Sequence, residues 1–289
     1  MKNHTMIITP KPEDPEVQLL TLELEERGYN VDHFIPEKIR ANIFNFHERF
    51  SDLNPRGALV RGFGAASTQR IFFRLDLLSA MEELGIRLIN SRQSLEIASD
   101  KFLSSIFLKN NGIKTPETII CEDPQDALKG FEELGGDVIL KPLYGSKGIG
   151  ITRLNDKAFA ENVIYALGEL NEVFYLQKFV HHNNRDIRVL VLGDIAVAGM
   201  YRVSDNWKTN IYAGAKMKPI ELTEELKDLS IRAAKAVKTE IAGVDIIESE
   251  NGYQVLEVNS IPGFTALQKV TDINLTEKII DYFLENISK

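Results

Sequence analysis

Gly243-Val244-Asp245-Ile246-Ile247-Glu248-Ser249-Glu250-Asn251-Gly252-Tyr253-Gln254-Val255-Leu256-Glu257-Val258-Asn259 reads as two apolar strands joined by a tight turn, with one acid inside each. A carboxylate buried in such a strand is costly unless a cation compensates it. The turn decides whether the two acids meet. A two-residue Asn251-Gly252 turn would set Asp245 opposite Val258 and point the acids to opposite sides. A three-residue loop, Glu250-Asn251-Gly252, with glycine in the left-handed position of a bulge, pairs Ser249 with Tyr253, Ile247 with Val255 and Asp245 with Glu257. The three-residue loop is the expectation. Asn259 joins the same face by the strand period of two. Opposed carboxylates repel, and a hard divalent ion such as magnesium, held by carboxylate and amide oxygens, is their natural occupant. The pair alone leaves a second arrangement open, in which one acid points to solvent and the other meets a lysine.

Basic and glycine-rich elements lie upstream. Lys141 closes the apolar strand Val138-Ile139-Leu140, and Gly145-Ser146-Lys147-Gly148-Ile149-Gly150 follows it. Small residues let backbone N–H groups approach an anion, and the lysines supply charge. The loop leads into a strand, Ile151 to Leu154, so it is neither a Walker A motif nor a dinucleotide fingerprint. A plain hairpin turn is the alternative reading. Lys101 follows a helix cap at Asp100, Arg185 and Arg188 flank Asp186, and Arg202 follows Met200-Tyr201. Each alone reads equally as a salt bridge or a snorkelling side chain. The histidines show no metal-ligand spacing. Cys121 reads as a buried apolar residue, since no His/Asp constellation accompanies it.

The first third alternates strand and helix: Met6-Ile8, Pro15-Arg27, Val31-Ile35, Ala58-Val60, Gln69-Leu84 and Ile86-Ile89. That spacing predicts a parallel sheet covered by helices over residues 1–90. Thereafter the pattern is α+β, with units expected at 91–180 and 181–289. The chain has 289 residues, a net charge of −8 and one cysteine. Its summed field repels phosphate, which argues against general nucleic-acid or anionic-membrane binding. Any phosphate must sit in a local basic pocket. A lone cysteine excludes an internal disulfide and a cysteine-based zinc site. The start, Met1 to Ile8, lacks the apolar core of a secretion signal, and no run approaches about 18 apolar residues. The expectation is a cytoplasmic protein.

Taken together, the ordered series is Asp100-Lys101, Ile139-Leu140-Lys141-Pro142 with its glycine-rich loop, Tyr175-Leu176-Gln177-Lys178-Phe179-Val180, Arg185-Asp186-Ile187-Arg188, Gly243-Val244-Asp245 and Leu256-Glu257-Val258-Asn259-Ser260-Ile261-Pro262-Gly263. Over residues 60–270 this resembles the ATP-grasp superfamily and, within it, the RimK-like α-L-glutamate ligases. The resemblance implies an α/β N-terminal domain followed by two α+β subdomains that clamp ATP. It implies that Lys101 and Lys141 hold ATP phosphates, that Gly145, Ser146, Lys147 and Gly148 close over them, and that Gln177, Lys178, Phe179 and Val180 form a hinge reading adenine. Asp186 would be an acid on the nucleotide side. Arg188 and Arg202 would be aimed at the transferred phosphate. Asp245, Glu257 and Asn259 would hold magnesium, with manganese as the alternative ion. Lys208-Thr209-Asn210 stands where the family usually shows Arg-Ser-Asn, so charge and amide are kept but the bidentate fork is lost.

The implied activity is ATP-dependent amide formation between an acceptor carboxylate and L-glutamate through an acyl phosphate. A small coenzyme tail, of deazaflavin or tetrahydromethanopterin type, is the expected acceptor. A protein C-terminus or an amino-group carrier protein is the alternative. Two readings of other classes stay open: a non-catalytic nucleotide-binding module and a small-molecule kinase. Self-association into a homo-oligomer is left open by the sequence.

Overall fold

A computed structural model describes residues 3–51, 53–145 and 148–287. The chain opens with β1 (Asn3–Ile8), α1 (Pro15–Glu26), β2 (Tyr29–Phe34), α2 (Glu48–Ser51), β3 (Gly57–Val60), α3 (Thr68–Glu83) and β4 (Arg87–Ile89). These strands form one parallel sheet in the order β2-β1-β3-β4. Helix α1 starts where the sequence says it should: Pro15 occupies its first turn, and Asp14 accepts a hydrogen bond from the Glu16 N–H.

Next come α4 (Arg92–Ser99) and α5 (Lys101–Asn110). Asp100 ends the first and caps the second, accepting from the Leu103 N–H at 3.0 Å. The second sheet contains β5 (Thr118–Cys121), β6 (Val138–Lys141), β7 (Thr152–Leu154) and β8 (Phe174–Lys178), in the order β5-β8-β6-β7 and antiparallel throughout. Helices α6 (Pro124–Glu133) and α7 (Lys157–Gly168) cover one of its faces through Ala127, Phe131, Ala160 and Ile164. Cys121 is half-buried against that core, and burial pushes its thiol up.

The third sheet holds β9 (Arg185–Leu192), β10 (Ile195–Val203), β11 (Lys216–Pro219), β12 (Ile241–Ser249) and β13 (Gly252–Asn259), in the order β11-β10-β9-β12-β13. Helix α8 (Glu224–Ala236) lies between β11 and β12 in sequence, and α9 (Thr265–Gln268) and α10 (Leu275–Ile287) follow β13. Helix α2 goes beyond the elements expected from the sequence over residues 1–90. Among the described residues no helix is long and apolar enough to cross a membrane.

The period of two splits the third sheet into unlike faces. Ile187, Val189 and Val191 of β9, with Ala242, Val244 and Ile246 of β12 and Val255 and Val258 of β13, bury against Ala233, Ala234 and Leu226 of α8 and against Ile97 and Leu108 of α4 and α5. The opposite face is apolar at one end only. There Leu190, Leu192, Met200 and Ile241 join Leu20 and Leu24 of α1 and Ile279, Ile280 and Phe283 of α10 in one core. At its other end the same face carries Asp186, Arg188, Arg202, Asp245, Glu257 and Asn259.

The hairpin joining β12 and β13 differs in detail from the expected one. Ser249 pairs with Gly252 and Ile247 with Gln254, so the loop is the two residues Glu250 and Asn251, not Glu250 to Gly252. Gly252 is left-handed, at φ +90°, but sits at the start of β13. The extra residue lies further along, at Leu256, where a bulge separates the Ile246–Val255 pair from the Asp245–Glu257 pair. One shift offsets the other. Asp245 faces Glu257, and Gly243 faces Asn259.

Candidate active site

Strand register assembles a row of charge across the third sheet. Arg188 on β9 pairs with Asp245 on β12, which pairs with Glu257 on β13; one step away, Asp186 on β9 pairs with Arg202 on β10. The Arg202 guanidinium grips Asp186 through two bonds of 2.7 Å and reaches Asp245 Oδ2 at 2.9 Å. Arg188 also holds Asp245 bidentately, through Nε to Oδ1 and a terminal nitrogen to Oδ2. The Thr209 hydroxyl donates to Asp186 at 2.5 Å. Asp186, Asp245 and Arg202 are almost wholly buried, so this network is tolerable only because every charge in it is matched.

The electrostatics follow from that sharing. Burial alone would push the Asp245 carboxyl up, but Arg188 and Arg202 together overcome it and hold it below its ordinary value. Burial pushes Asp186 up as well; one shared arginine offsets only part, and the neighbouring Asp245 charge adds to the rise. Burial opposes the charge on Arg202, yet its two carboxylate partners raise it further above its ordinary value.

Gly243 is required beneath this row. A Cβ there would lie 2.6 Å from an Arg188 guanidinium nitrogen and 2.9 Å from Pro262 Cβ. Gly243→Ala is therefore expected to shift Arg188 off Asp245 and to cost about 1–3 kcal/mol of stability, read from denaturant unfolding.

Glu257 and Asn259 stand at the edge of the row and are half-buried. Asn259 donates its amide nitrogen to Glu257 Oε1 at 3.1 Å and to the Gly243 carbonyl at 3.4 Å, leaving Oδ1 as its acceptor. Across from them come the lysines. Lys141, at the end of β6, is buried and donates to Gln177 Oε1 at 2.7 Å. Burial pulls its ammonium down to about 8, Glu257 acts against that pull, and Lys101 adds to it. Lys101, at the start of α5, donates to the Leu143 carbonyl at 3.3 Å and is likewise lowered by burial, with Glu257 opposing. Lys101 and Lys141 thus feel each other's charge and that of Glu257, and Lys141 also feels Asp245.

The expected hinge is divided in role. The Gln177 side chain serves the interior: besides receiving Lys141, it donates to Thr118 Oγ1 at 3.1 Å and to the Tyr175 hydroxyl at 3.3 Å. The Lys178 and Phe179 N–H groups donate to the carbonyls of Glu117 and Asp137, so neither is available to a base. The Lys178 side chain is exposed and pairs with Glu117, while Phe179 and Val180 are half-buried. Ser146 and Lys147 lie outside the described residues. Gly145 is exposed near Pro142. Gly148, at φ +71°, comes so close to Asn210 that a Cβ would lie 2.6 Å from its amide nitrogen. Lys208 sits over the Trp207 ring, 5.2 Å from its centroid. Gly243 and Tyr175 stand inside the quoted motifs without a role assigned to them, and Trp207 lies outside them. The available signals were a glycine two residues before an in-strand acid, and the chain's single tryptophan in an otherwise polar stretch.

Among the described residues no group of three or more His, Cys, Asp or Glu side chains forms a metal cluster. The donors present are two carboxylates and one carboxamide, an all-oxygen set that suits a hard divalent ion completed by phosphate oxygens. Each carboxylate offers about four lone-pair sites, so the arginine bonds to Asp245 do not exhaust it. The residues fit such an ion.

The RimK-like ATP-grasp domain model matches residues 98–283. The tetrahydromethanopterin:alpha-L-glutamate ligase of Methanocaldococcus jannaschii is 36% identical over 223 residues, covering 75% of this chain and 76% of that protein. The alpha-aminoadipate–LysW ligase LysX of Saccharolobus solfataricus is 33% identical, covering 72% and 78%. The solved ATP-grasp ligase PsnB, in complex with its minimal precursor, superposes with a TM-score of 0.78 at 21% identity over 99% of both chains, a likeness of fold. ATP-grasp ligases use ATP with divalent metals. By the extent of the domain match and the identity to its relatives, the chain belongs to the RimK-like ATP-grasp family.

Proposed function

We propose that this chain is an ATP-dependent ligase that joins the amine of L-glutamate to an acceptor carboxylate, and that the acceptor is a coenzyme tail of the tetrahydromethanopterin or deazaflavin type. The observation that carries the reading is the charge row Arg202–Asp186 and Arg188–Asp245–Glu257, with Glu257 electrostatically coupled to both Lys101 and Lys141. The glutamate ligase among the relatives supports glutamate and the coenzyme tail, and the LysW ligase supports a carrier protein as the second acceptor class. The division into units 1–90, 91–180 and 181–289 is part of the proposal. Three separate sheets support it, although α4 and α5 pack on the third sheet and α10 packs against α1.

A carboxylate is a poor electrophile. Its oxygen attacks the γ-phosphorus of ATP, the bond to the bridging oxygen breaks, and ADP leaves. The glutamate amine then attacks the acyl carbon, the C–N bond forms, phosphate departs with the C–O electrons, and the amine gives up a proton. A divalent ion, magnesium or manganese, bound by Asp245, Glu257 and Asn259 would offset the phosphate charge. Lys101 and Lys141 add two positive charges on the phosphate side. Arg188 and Arg202 spend Nε and one terminal nitrogen on Asp245 and Asp186, so each would meet a phosphate oxygen through its remaining terminal nitrogen. Gly148 to Gly150, with Asn210 against Gly148, would help to exclude water from the reacting groups. Positioning and charge do the chemistry, and no protein nucleophile is needed.

The test is incubation with ATP, magnesium, glutamate and a panel of coenzyme, peptide and carrier-protein acceptors, read by product mass. A glutamyl adduct with phosphate release is expected. A stable phosphorylated product would show a kinase, and no turnover with any carboxylate would overturn the ligase reading.

Lys141 adds a pH dependence. Its protonated form binds phosphate, and in the free enzyme burial brings its ammonium to about 8. Below that pH the charge is in place. As pH rises through 8 the lysine goes neutral, so ATP binding must take up a proton and weaken. The KM for ATP is expected to climb above pH 8, and calorimetry in buffers of different ionisation heat should reveal the proton uptake. A flat KM from pH 7 to 9 contradicts it.

A further inference from the structure

We propose that Trp207 is a positioning residue that couples the nucleotide hinge to the loop between β10 and β11, and through that loop to binding of the second substrate. The inference rests on the reading of residues 177–180 as the nucleotide hinge. The loop between β10 and β11, residues 204–215, is tied down at successive side chains. Trp207 meets Phe179 edge to face, with centroids 6.4 Å apart and planes at 88°. Phe179 is itself held in place: the Arg153 guanidinium lies 3.5 Å from its centroid, and Asp137 clamps Arg153 through bonds of 2.7 and 2.6 Å. The Lys208 ammonium sits over Trp207, Thr209 donates to Asp186, and Asn210 lies against Gly148.

The spacing makes this a relay. Three residues of extended chain span at most about 10 Å, so little slack lies between the indole and Asn210. A displacement of Phe179 by a base in the hinge is shared among the rings around it, His181, His182 and Trp207, and the part that reaches the indole is passed to Thr209, on the buried acid, and to Asn210, beside Gly148. Thr209 fixes the loop toward the charge row, and Trp207 fixes it toward the hinge. Simple burial of an aromatic ring does not account for the arrangement, since Trp207 is only half-buried and meets Phe179 edge to face and the Lys208 ammonium over its ring.

Trp207 is the only tryptophan, so its emission reports on itself. The experiment titrates the intact protein with magnesium and a non-hydrolysable ATP analogue, following emission and, in parallel, the heat of binding. Glutamate affinity is then measured with and without the analogue in the native protein, in Trp207→Ala and in Trp207→Phe. Expected are a change in emission that saturates with nucleotide and a tightening of glutamate binding by nucleotide of about 2- to 12-fold, the range of one aromatic pair. That tightening falls toward unity in Trp207→Ala, which keeps its nucleotide affinity, and returns in Trp207→Phe. Nucleotide heat without any change in emission, or unchanged tightening in Trp207→Ala, overturns the relay while leaving the ligase reading intact. An absence of nucleotide heat overturns both.

Discussion

Glu257→Gln is expected to lower ADP formation by about 100- to 1,000-fold, the size of loss seen when one preorganised electrostatic contact to a transition state is removed. Nucleotide affinity should fall far less. Glu257 is the metal-type acid with no arginine partner, and its field acts on both Lys101 and Lys141. The substitution keeps the shape and removes the charge that a divalent ion would bridge. The strand itself should survive, because Glu257 is half-buried and Asn259 can still donate to the new amide oxygen. Coupled assay of ADP release beside calorimetric nucleotide binding separates the two effects. A non-catalytic binding module has no turnover to lose, so a native protein without turnover, matched by an unchanged variant, would favour that reading.

Asp245→Asn is expected to damage the fold as well as the chemistry. Asp245 is the carboxylate held by both Arg188 and Arg202, and it lies almost wholly inside the protein. An amide there leaves the half-buried Arg188 without its carboxylate and the buried Arg202 with Asp186 alone. Removing one partner from a buried charge network costs about 3–5 kcal/mol, and for a chain of this size that lowers the melting temperature by roughly 10 °C. Thermal unfolding followed by circular dichroism measures it. The contrast with Glu257→Gln is the informative part: one acid is expected to matter for turnover alone, the other for turnover and stability. Equal melting temperatures for the two variants would show that the arginines find other partners.

The hairpin shows how far the sequence could be read and where it stopped. Two in-strand acids and an apolar surround pointed to a common face while leaving one acid at solvent as the alternative, and Asp245 does pair with Glu257. The turn could not be read, because a loop of Glu250 and Asn251 with a bulge at Leu256 gives the same acid pairing as a three-residue loop without one. Local turn chemistry and a distant bulge compensate, and only coordinates distinguish them. The caps were legible for a simpler reason: Asp14 and Asp100 act on N–H groups two or three residues away. Helix α7 has such a cap at Asp156, but its buried stripe is only Ala160 and Ile164, too thin to stand out by period. The partners of Arg188 and Arg202 were out of reach, since they depend on long-range register across β9, β10 and β12, including a shift between Ala196 and Ala198. The same limit hid the commitment of the Gln177 side chain to Lys141.

The most direct measurement is a crystal structure with a non-hydrolysable ATP analogue and manganese, located by its anomalous scattering. The expected result is a peak bridging Asp245 and Glu257, within coordination distance of Asn259, with the phosphates running toward Lys101 and Lys141. A nucleotide bound elsewhere, or a metal peak that touches neither carboxylate, would contradict the assignment of this charge row as the site of phosphoryl transfer.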